Sequence, residues 1–206
     1  PVLVTDRGAV LLRAGKRERR GETLAFSENL PGWGIPVLGT IEKPGTAEAG
    51  DMIWLDTTTL LVGRGFRTND EGIRQLQVVL RPLHIDVIPF HLPYGRGPGE
   101  VLHLMSFISL LDVDLAVAFK PLVPVPLYEI LRERGIEMVD TPEAEFPTQA
   151  CNVLAVAPRN AIIIEGNPLT RQRLEAAGCR VSEVGTEICL PGAGGPTCLT
   201  RPLWRG

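Results

Sequence analysis

Few residues in this chain have the types and spacing for chemistry. Near the C-terminus, "GGPTCLTRPL" places one thiol, Cys198, behind Gly194, Gly195 and Pro196. Chain ends are usually frayed and dispensable, whereas glycines let backbone approach a ligand closely. Cys151 ("TQACNVLAV") and Cys189 ("EICLPG") are flanked by apolar residues and are expected in the core. Cys179 follows a helix-terminating glycine and is expected to be structural. No two cysteines have C-x-x-C spacing, so no metal site is predicted. Reduced thiols are expected rather than a disulfide framework.

Three histidines are present, His84, His91 and His103. His84 is expected to open a strand and His91 to lie in a Gly- and Pro-rich loop. His103, in "EVLHLMSF", is expected inside an apolar strand, where a histidine is more often a satisfied core residue than a catalyst. In either role both ring nitrogens need partners, and a carboxylate partner would be the most informative. Glu48 is a candidate. It lies in "GTAEAGDMIWL", where Glu48 and Asp51 set two acids around a tight turn; on its own this would be a solvated loop. A cysteine and a histidine with an acid orienting the histidine is the general arrangement for thiol nucleophilic catalysis, in which the thiolate attacks.

Two arginine sites follow strands: Arg67 in "VGRGFRTNDEG", and Arg17, Arg19 and Arg20 in "RAGKRERRGE". A guanidinium grips a carboxylate in a two-pronged fork; the alternative for the second site is a solvated basic run. There is no G-x-S-x-G, H-E-x-x-H or Walker pattern.

The elements that must position these residues repeat along the chain. "DMIWLDTTTLLVGRGFRTNDEGIRQLQVVLRPLHIDVIPF" and "NVLAVAPRNAIIIEGNPLTRQRLEAAGCRVSEV" share one plan. Each has a strand, a polar turn, a β-branched strand, a helix of roughly 3.6-residue periodicity, and a closing extended segment. "PVLVTDRGAVLLRAG" with "GETLAFSENL" and "IPVLG" fits that plan, as does "LHLMSFISLLDVDLAVAF" with "PLYEILRERG" and "IEMVDT". About four copies of a strand-strand-helix-strand unit are therefore predicted. A ring of units, with Glu48, His103 and Cys198 each at a unit's edge, would bring those edges into one cleft. An ordinary α/β sandwich with a coincidental repeat is the alternative.

Bulk properties exclude some classes. The net charge of −3 over 206 residues argues against a nucleic-acid binder, which normally shows a basic face. No run approaches about eighteen apolar residues, so no transmembrane helix is predicted. No signal peptide is visible. A chain with 44% hydrophobic residues at this length buries its own core without staples.

With these residues in view, the chain resembles a known family. "AEAGDMIWL", "LLVGRGFRTNDEG", "EVLHLMSF", "ACNVL" and "GGPTCLTRPL" occur in the order found in the dimethylarginine dimethylaminohydrolases. These belong to the pentein superfamily of guanidino-modifying enzymes, with arginine deiminases and amidinotransferases. The resemblance covers essentially the whole chain. It implies an α+β fold, an α/β propeller of ββαβ units about a pseudo-fivefold axis, of which about four are present here. It also implies a single catalytic domain over residues 1–206.

Carried onto matching positions, the resemblance makes Cys198 the nucleophile, His103 the general acid/base and Glu48 the carboxylate that holds guanidinium and histidine. Arg67 and Arg19 match the arginines that grip a substrate α-carboxylate. Asp51 closes the family's acid-Gly-Gly-Asp motif, in which Ala49 here replaces a glycine, and is placed with the substrate-binding residues. Gly192 falls where a backbone carbonyl would meet the α-amino group. No metal or organic cofactor is implied, and the expected location is cytoplasmic. Deiminases and amidinotransferases usually carry an acid two residues after the histidine. Here that residue is Met105, which favours a dimethylargininase-like enzyme over a deiminase; an arginine deiminase or an amidinotransferase-like enzyme is the alternative.

The family also has a further acid that, counted back from Arg19, would fall immediately before Pro1. Its first repeat, roughly fifty residues, would lie largely upstream. A four-unit chain is expected to expose strand edges and apolar core, and hence to associate with a missing segment or a second copy. A non-catalytic relative disabled by the missing acid remains the reading from another class.

Overall fold

The computed structural model describes residues 1–99, 102–189 and 194–203, with Ile188 and Cys189 as backbone only. Among the described residues there are four three-stranded sheets, each with the same order and the same mixed pairing. In the first, β1 (Val2–Thr5) and β2 (Gly8–Leu11) form an antiparallel hairpin. Helix α1 (Glu22–Asn29) then crosses over, and β3 (Val37–Thr40) pairs parallel to β2. The second has β4 (Met52–Asp56), β5 (Thr59–Arg64), α2 (Asp70–Leu80) and β6 (Asp86–His91). The third has β7 (Ile108–Asp112), β8 (Leu115–Ala118), α3 (Val125–Glu133) and β9 (Glu137–Asp140). The fourth has β10 (Leu154–Ala157), β11 (Asn160–Ile164), α4 (Pro168–Ala176) and β12 (Arg180–Val184).

The pairing follows from the sequence. Antiparallel strands need only a tight turn, but a parallel partner needs a crossover, which the helix supplies. The middle strand of each sheet is paired on both edges. It is accordingly the most apolar: "GAVL" and "LAVA" are buried throughout, and "TLLVGR" over its first five residues. A register shift recurs near the end of the first strand in three hairpins, at Trp54/Asp56, Leu110/Asp112 and Ala155/Ala157. The same local irregularity at the same place marks these hairpins as copies of one unit.

The chain divides into two compact units, Pro1–His103 with Pro202–Gly206, and Leu104–Arg201. In the first, α2 turns Ile73, Leu76 and Leu80 onto a core with Leu3, Val10, Leu12, Leu60 and Val62, so the first two repeats share one interior. The second has its own core, built from Leu111, Val117, Val139, Ile163 and Leu174. Among the described residues no helix is long and apolar enough to cross a membrane.

All three histidine expectations change. His103 is not inside a strand. It precedes a 3-10 turn, Leu104–Ser106, and the strand begins at Ile108. Leu104 and Phe107, one such turn apart, are both fully buried, and the Phe107 N–H bonds the Leu104 carbonyl at 3.2 Å. An unbroken apolar run hid that turn, because periodicity cannot separate a short buried turn from a buried strand. His84 does not open a strand: it ends a 3-10 turn in the left-handed region at φ 57°, two residues before β6. His91 is the last residue of β6 rather than part of the loop after it.

Candidate active site

In the first unit, the segments that follow the middle strands of the first two repeats meet around Glu48. Ala47 donates its N–H to the Arg13 carbonyl, and Asn69 donates its own to the Thr46 carbonyl. These bonds hold the Glu48 backbone between the stretch after β2 and the turn after β5. Asn69 also caps α2: its Oδ1 accepts the Gly72 N–H at 2.8 Å and the Thr46 N–H at 2.9 Å. This is the usual use of asparagine at a helix start. Gly15 allows the close approach, since a Cβ there would lie 2.8 Å from the Arg67 carbonyl oxygen.

The Glu48 side chain is buried and almost fully bonded. Oε1 accepts the backbone N–H groups of Gly15 (2.9 Å) and Lys16 (3.3 Å) and the Nη1 of Arg67 (3.2 Å). Oε2 meets His103 Nε2 at 3.0 Å, with Arg19 Nη1 3.6 Å away. Burial alone would raise the pKa of this carboxyl. The hydrogen bond and charge of His103, the charge of Arg67 and the Lys16 N–H outweigh it and hold the pKa down at about 2. Glu48 is thus an ionised, dry carboxylate that can only accept hydrogen bonds, which places the proton of the shared bond on His103 Nε2. The carboxylate fixes both the tautomer and the orientation of the ring.

Asp51 is also fully buried, but it faces a neighbour within the unit. Its Oδ2 accepts the Thr68 hydroxyl at 2.7 Å, and the Thr68 oxygen in turn accepts the Glu48 N–H at 3.1 Å. The Asp51 N–H closes the turn on the Glu48 carbonyl at 3.0 Å. The two acids therefore do different work: Glu48 presents charge, while Asp51 locks the turn that presents it. Arg19 has its fork on Glu22, at 2.8 and 2.9 Å, besides its approach to Glu48.

Cys198 belongs to the second unit and is exposed. Its Sγ accepts a hydrogen bond from Asn152 Nδ2 at 3.1 Å. Asn152 is buried, and its Oδ1 accepts both the N–H of Thr197, at 2.9 Å, and the Thr197 hydroxyl. Met105 lies in the turn after His103, half-buried. Cys151 is fully buried; loss of solvent pushes its thiol up to about 12, which makes it inert. Cys179 is likewise buried and raised by the same cause. The core reading of Cys151 thus holds, and Cys179, read as structural, is buried as well; the side chain of Cys189, and Gly192, lie outside the described residues.

The structure brings Glu48, His103, Arg67 and Arg19 together, and sets Asp51 behind them. Reading the sequence missed Thr68, Gly50, Asn152 and Thr197. All four lie within the motifs, but a threonine, asparagine or glycine in a turn has no spacing rule that reveals its partner. Among the described residues no group of three or more His, Cys, Asp or Glu side chains is arranged to hold a metal ion.

Residues 122–205 match the arginine deiminase family. The chain is similar to the N(G),N(G)-dimethylarginine dimethylaminohydrolase of Pseudomonas aeruginosa, at 31% identity over 200 residues, covering 97% of this chain and 73% of that protein. It is similar to a solved structure of that organism's enzyme, a cysteine-to-serine variant with citrulline, at TM-score 0.80 and 29% identity over 97% of this chain and 72% of the other. A second structure, a histidine-to-glycine dimethylarginine dimethylaminohydrolase as an adduct with S-methyl-L-thiocitrulline, matches at TM-score 0.81 and 31% identity, with 97% and 72% covered.

Proposed function

The chain belongs to the dimethylarginine dimethylaminohydrolase family, and on that footing we propose that it hydrolyses a C–N bond of a methylated arginine, releasing citrulline and an amine through a covalent cysteine adduct. Its four ββαβ repeats are those of the pentein fold. The observation that carries the reading is the buried Glu48 carboxylate, held ionised and bonded to His103.

In this proposal Glu48 offers its charge to the substrate guanidinium and keeps His103 oriented. Cys198 is the nucleophile. A guanidinium beside a thiol favours the thiolate, so substrate and nucleophile activate each other. The Cys198 thiol gives its proton to His103, and the thiolate sulfur attacks the guanidinium carbon, so that a C–S bond forms as the C=N double bond opens onto nitrogen. The C–N bond to the methylated nitrogen then breaks, and His103 delivers a proton to the departing amine. The same imidazole next takes a proton from water, which adds to the thiouronium carbon; collapse breaks the C–S bond and frees citrulline and the thiol. Arg67 and Arg19 are proposed to receive the substrate α-carboxylate, and Gly192 its amino group. No cofactor takes part in these steps.

A second reading, an arginine deiminase, is favoured by the match over residues 122–205. Met105, apolar where deiminases carry an acid, favours the methylated substrate. A cytoplasmic location and self-association of the chain belong to the same proposal; sedimentation of the purified chain tests the latter. The decisive experiment supplies dimethylarginine and, separately, arginine to the wild-type chain and to Cys198→Ser, and measures citrulline. Citrulline from dimethylarginine, lost in the variant with the fold intact, is the expected result. Turnover of arginine alone selects the deiminase reading, and near-normal turnover by the variant overturns Cys198 as nucleophile.

A further inference from the structure

We infer that Asn152 is a positioning residue for Cys198: its side-chain amide is clamped in one orientation so that Nδ2–H donates to the sulfur and favours the thiolate. The inference rests on the reading of Cys198 as nucleophile for its catalytic consequence, but not for its geometry.

The orientation of the amide is set by its partners. An asparagine amide can point either way unless a neighbour decides. Here the Thr197 backbone N–H, which can only donate, lies 2.9 Å from one end of the amide and identifies it as oxygen. The other end is then the NH2 group, and it meets Cys198 Sγ at 3.1 Å. The Thr197 hydroxyl donates to the same oxygen.

The backbone that carries Asn152 is fixed on both sides. Ser109, on β7, donates its hydroxyl to the Cys151 carbonyl at 2.7 Å and accepts the Val153 N–H at 3.3 Å. The Asn152 N–H bonds the Gln149 carbonyl at 2.9 Å. The facing loop fits the amide closely: a Cβ on Gly195 would lie 2.5 Å from Asn152 Cγ. The Cys198 N–H returns to the Gly195 carbonyl at 3.0 Å. A buried amide two residues before β10, on backbone fixed by these bonds, therefore holds a nearby turn, and the sulfur on that turn, by two kinds of bond. The bond to oxygen places the turn. The bond from nitrogen acts on the sulfur and strengthens when the sulfur carries negative charge.

The test uses the full chain, wild type, Asn152→Asp and Asn152→Ala, with circular dichroism to confirm folding. Iodoacetamide alkylation of Cys198, followed by the mass of the Cys198 peptide, is measured from about pH 5 to pH 10, the range in which thiols ionise. Losing a hydrogen bond to a charged acceptor should move the midpoint of this profile upward by about one pH unit in Asn152→Ala. The shift should be larger in Asn152→Asp, which keeps the shape of the side chain but sets a carboxylate oxygen against the sulfur. On dimethylarginine, kcat should fall about tenfold in Asn152→Ala with KM within about twofold. A profile whose midpoint stays put in Asn152→Ala overturns the inference. If Asn152→Ala fails to fold, the near-isosteric Asn152→Leu, which removes the donor without adding a charge, decides in its place. Alkylation needs no substrate, so it reports on Asn152 even if Cys198→Ser retains turnover and the functional reading fails.

Discussion

Gly50 lies flat against the imidazole of His103: a Cβ at this position would stand 2.7 Å from Nδ1 and 2.8 Å from Cγ of the ring. The turn that carries Glu48 thus does two things. It delivers the carboxylate to Nε2, and it supplies a backbone surface that stops the ring from leaning away. Real side chains essentially never approach so closely, so the absence of a Cβ at residue 50 is a condition of the ring's position. The neighbouring Ala49 is buried.

Gly50→Ala should therefore displace the His103 ring while leaving the fold in place. A misplacement of about 1 Å in a catalytic group costs on the order of a hundredfold. Citrulline release from dimethylarginine should fall by about that factor, with the thermal midpoint little changed. A variant with full kcat would show that the ring does not need this contact, and would weigh against His103 as the acid/base.

The Glu48 carboxyl predicts a pH dependence. Its pKa is lowered from 4.5 to about 2. A depressed acid contributes stability that is fully present above the unfolded value, near 4.5, and is lost as pH falls toward about 2. That drop corresponds to roughly 3 kcal/mol. The groups facing the carboxylate are His103, Arg67 and Arg19, with the N–H groups of Gly15 and Lys16. Urea midpoints of wild type and Glu48→Gln should differ most near neutrality and converge between pH 4.5 and about 2. A gap that stays constant across that window would contradict the assignment.

How much of this was legible in the sequence depends on the kind of signal. The four repeats were legible because burying a hairpin and its crossover strand imposes a period-2 pattern, a polar turn and a helical stripe each time. Ile73, Leu76 and Leu80 show it plainly. Glu48 and His103 were legible only through motif order, since 55 residues separate them and no local rule pairs them. The turn after His103 was not legible, because Leu104 and Phe107 look the same in a strand and in a 3-10 turn. Asn152 and Thr68 were not legible either. Their roles depend on partners 46 and 17 residues away, fixed by tertiary packing.

Asn69 links helix formation to the site. Its amide oxygen serves the first turn of α2 and the Thr46 N–H, and its amide nitrogen reaches the Pro44 carbonyl at 3.1 Å. Replacing an N-cap asparagine by alanine typically costs about 1 kcal/mol, and here a second backbone donor is left unserved. Asn69→Ala should lower stability by about 2 kcal/mol. It should also raise KM more than it lowers kcat, because Arg67 and Thr68 sit on the same turn. A stability change with no kinetic change would separate the cap from the site.

The thiols should respond very differently to an alkylating reagent. Attack requires thiolate and access together. Cys151 has neither: it is fully buried, its pKa is pushed to about 12, and its sulfur contacts the Thr141 hydroxyl at 3.1 Å. Cys179 is buried and raised by desolvation, at the end of a helix closed by Gly178. Cys198 is exposed and receives the Asn152 N–H. Brief treatment of the native chain at neutral pH should therefore label Cys198 and spare Cys151 and Cys179. Both protected thiols should become reactive in denaturant, as peptide masses will report. Labelling should abolish citrulline formation in step with modification of Cys198, and a dimethylarginine-like substrate should slow it. Inactivation that tracks Cys151 or Cys179 instead would move the nucleophile, and with it the proposed reaction, to another part of the chain.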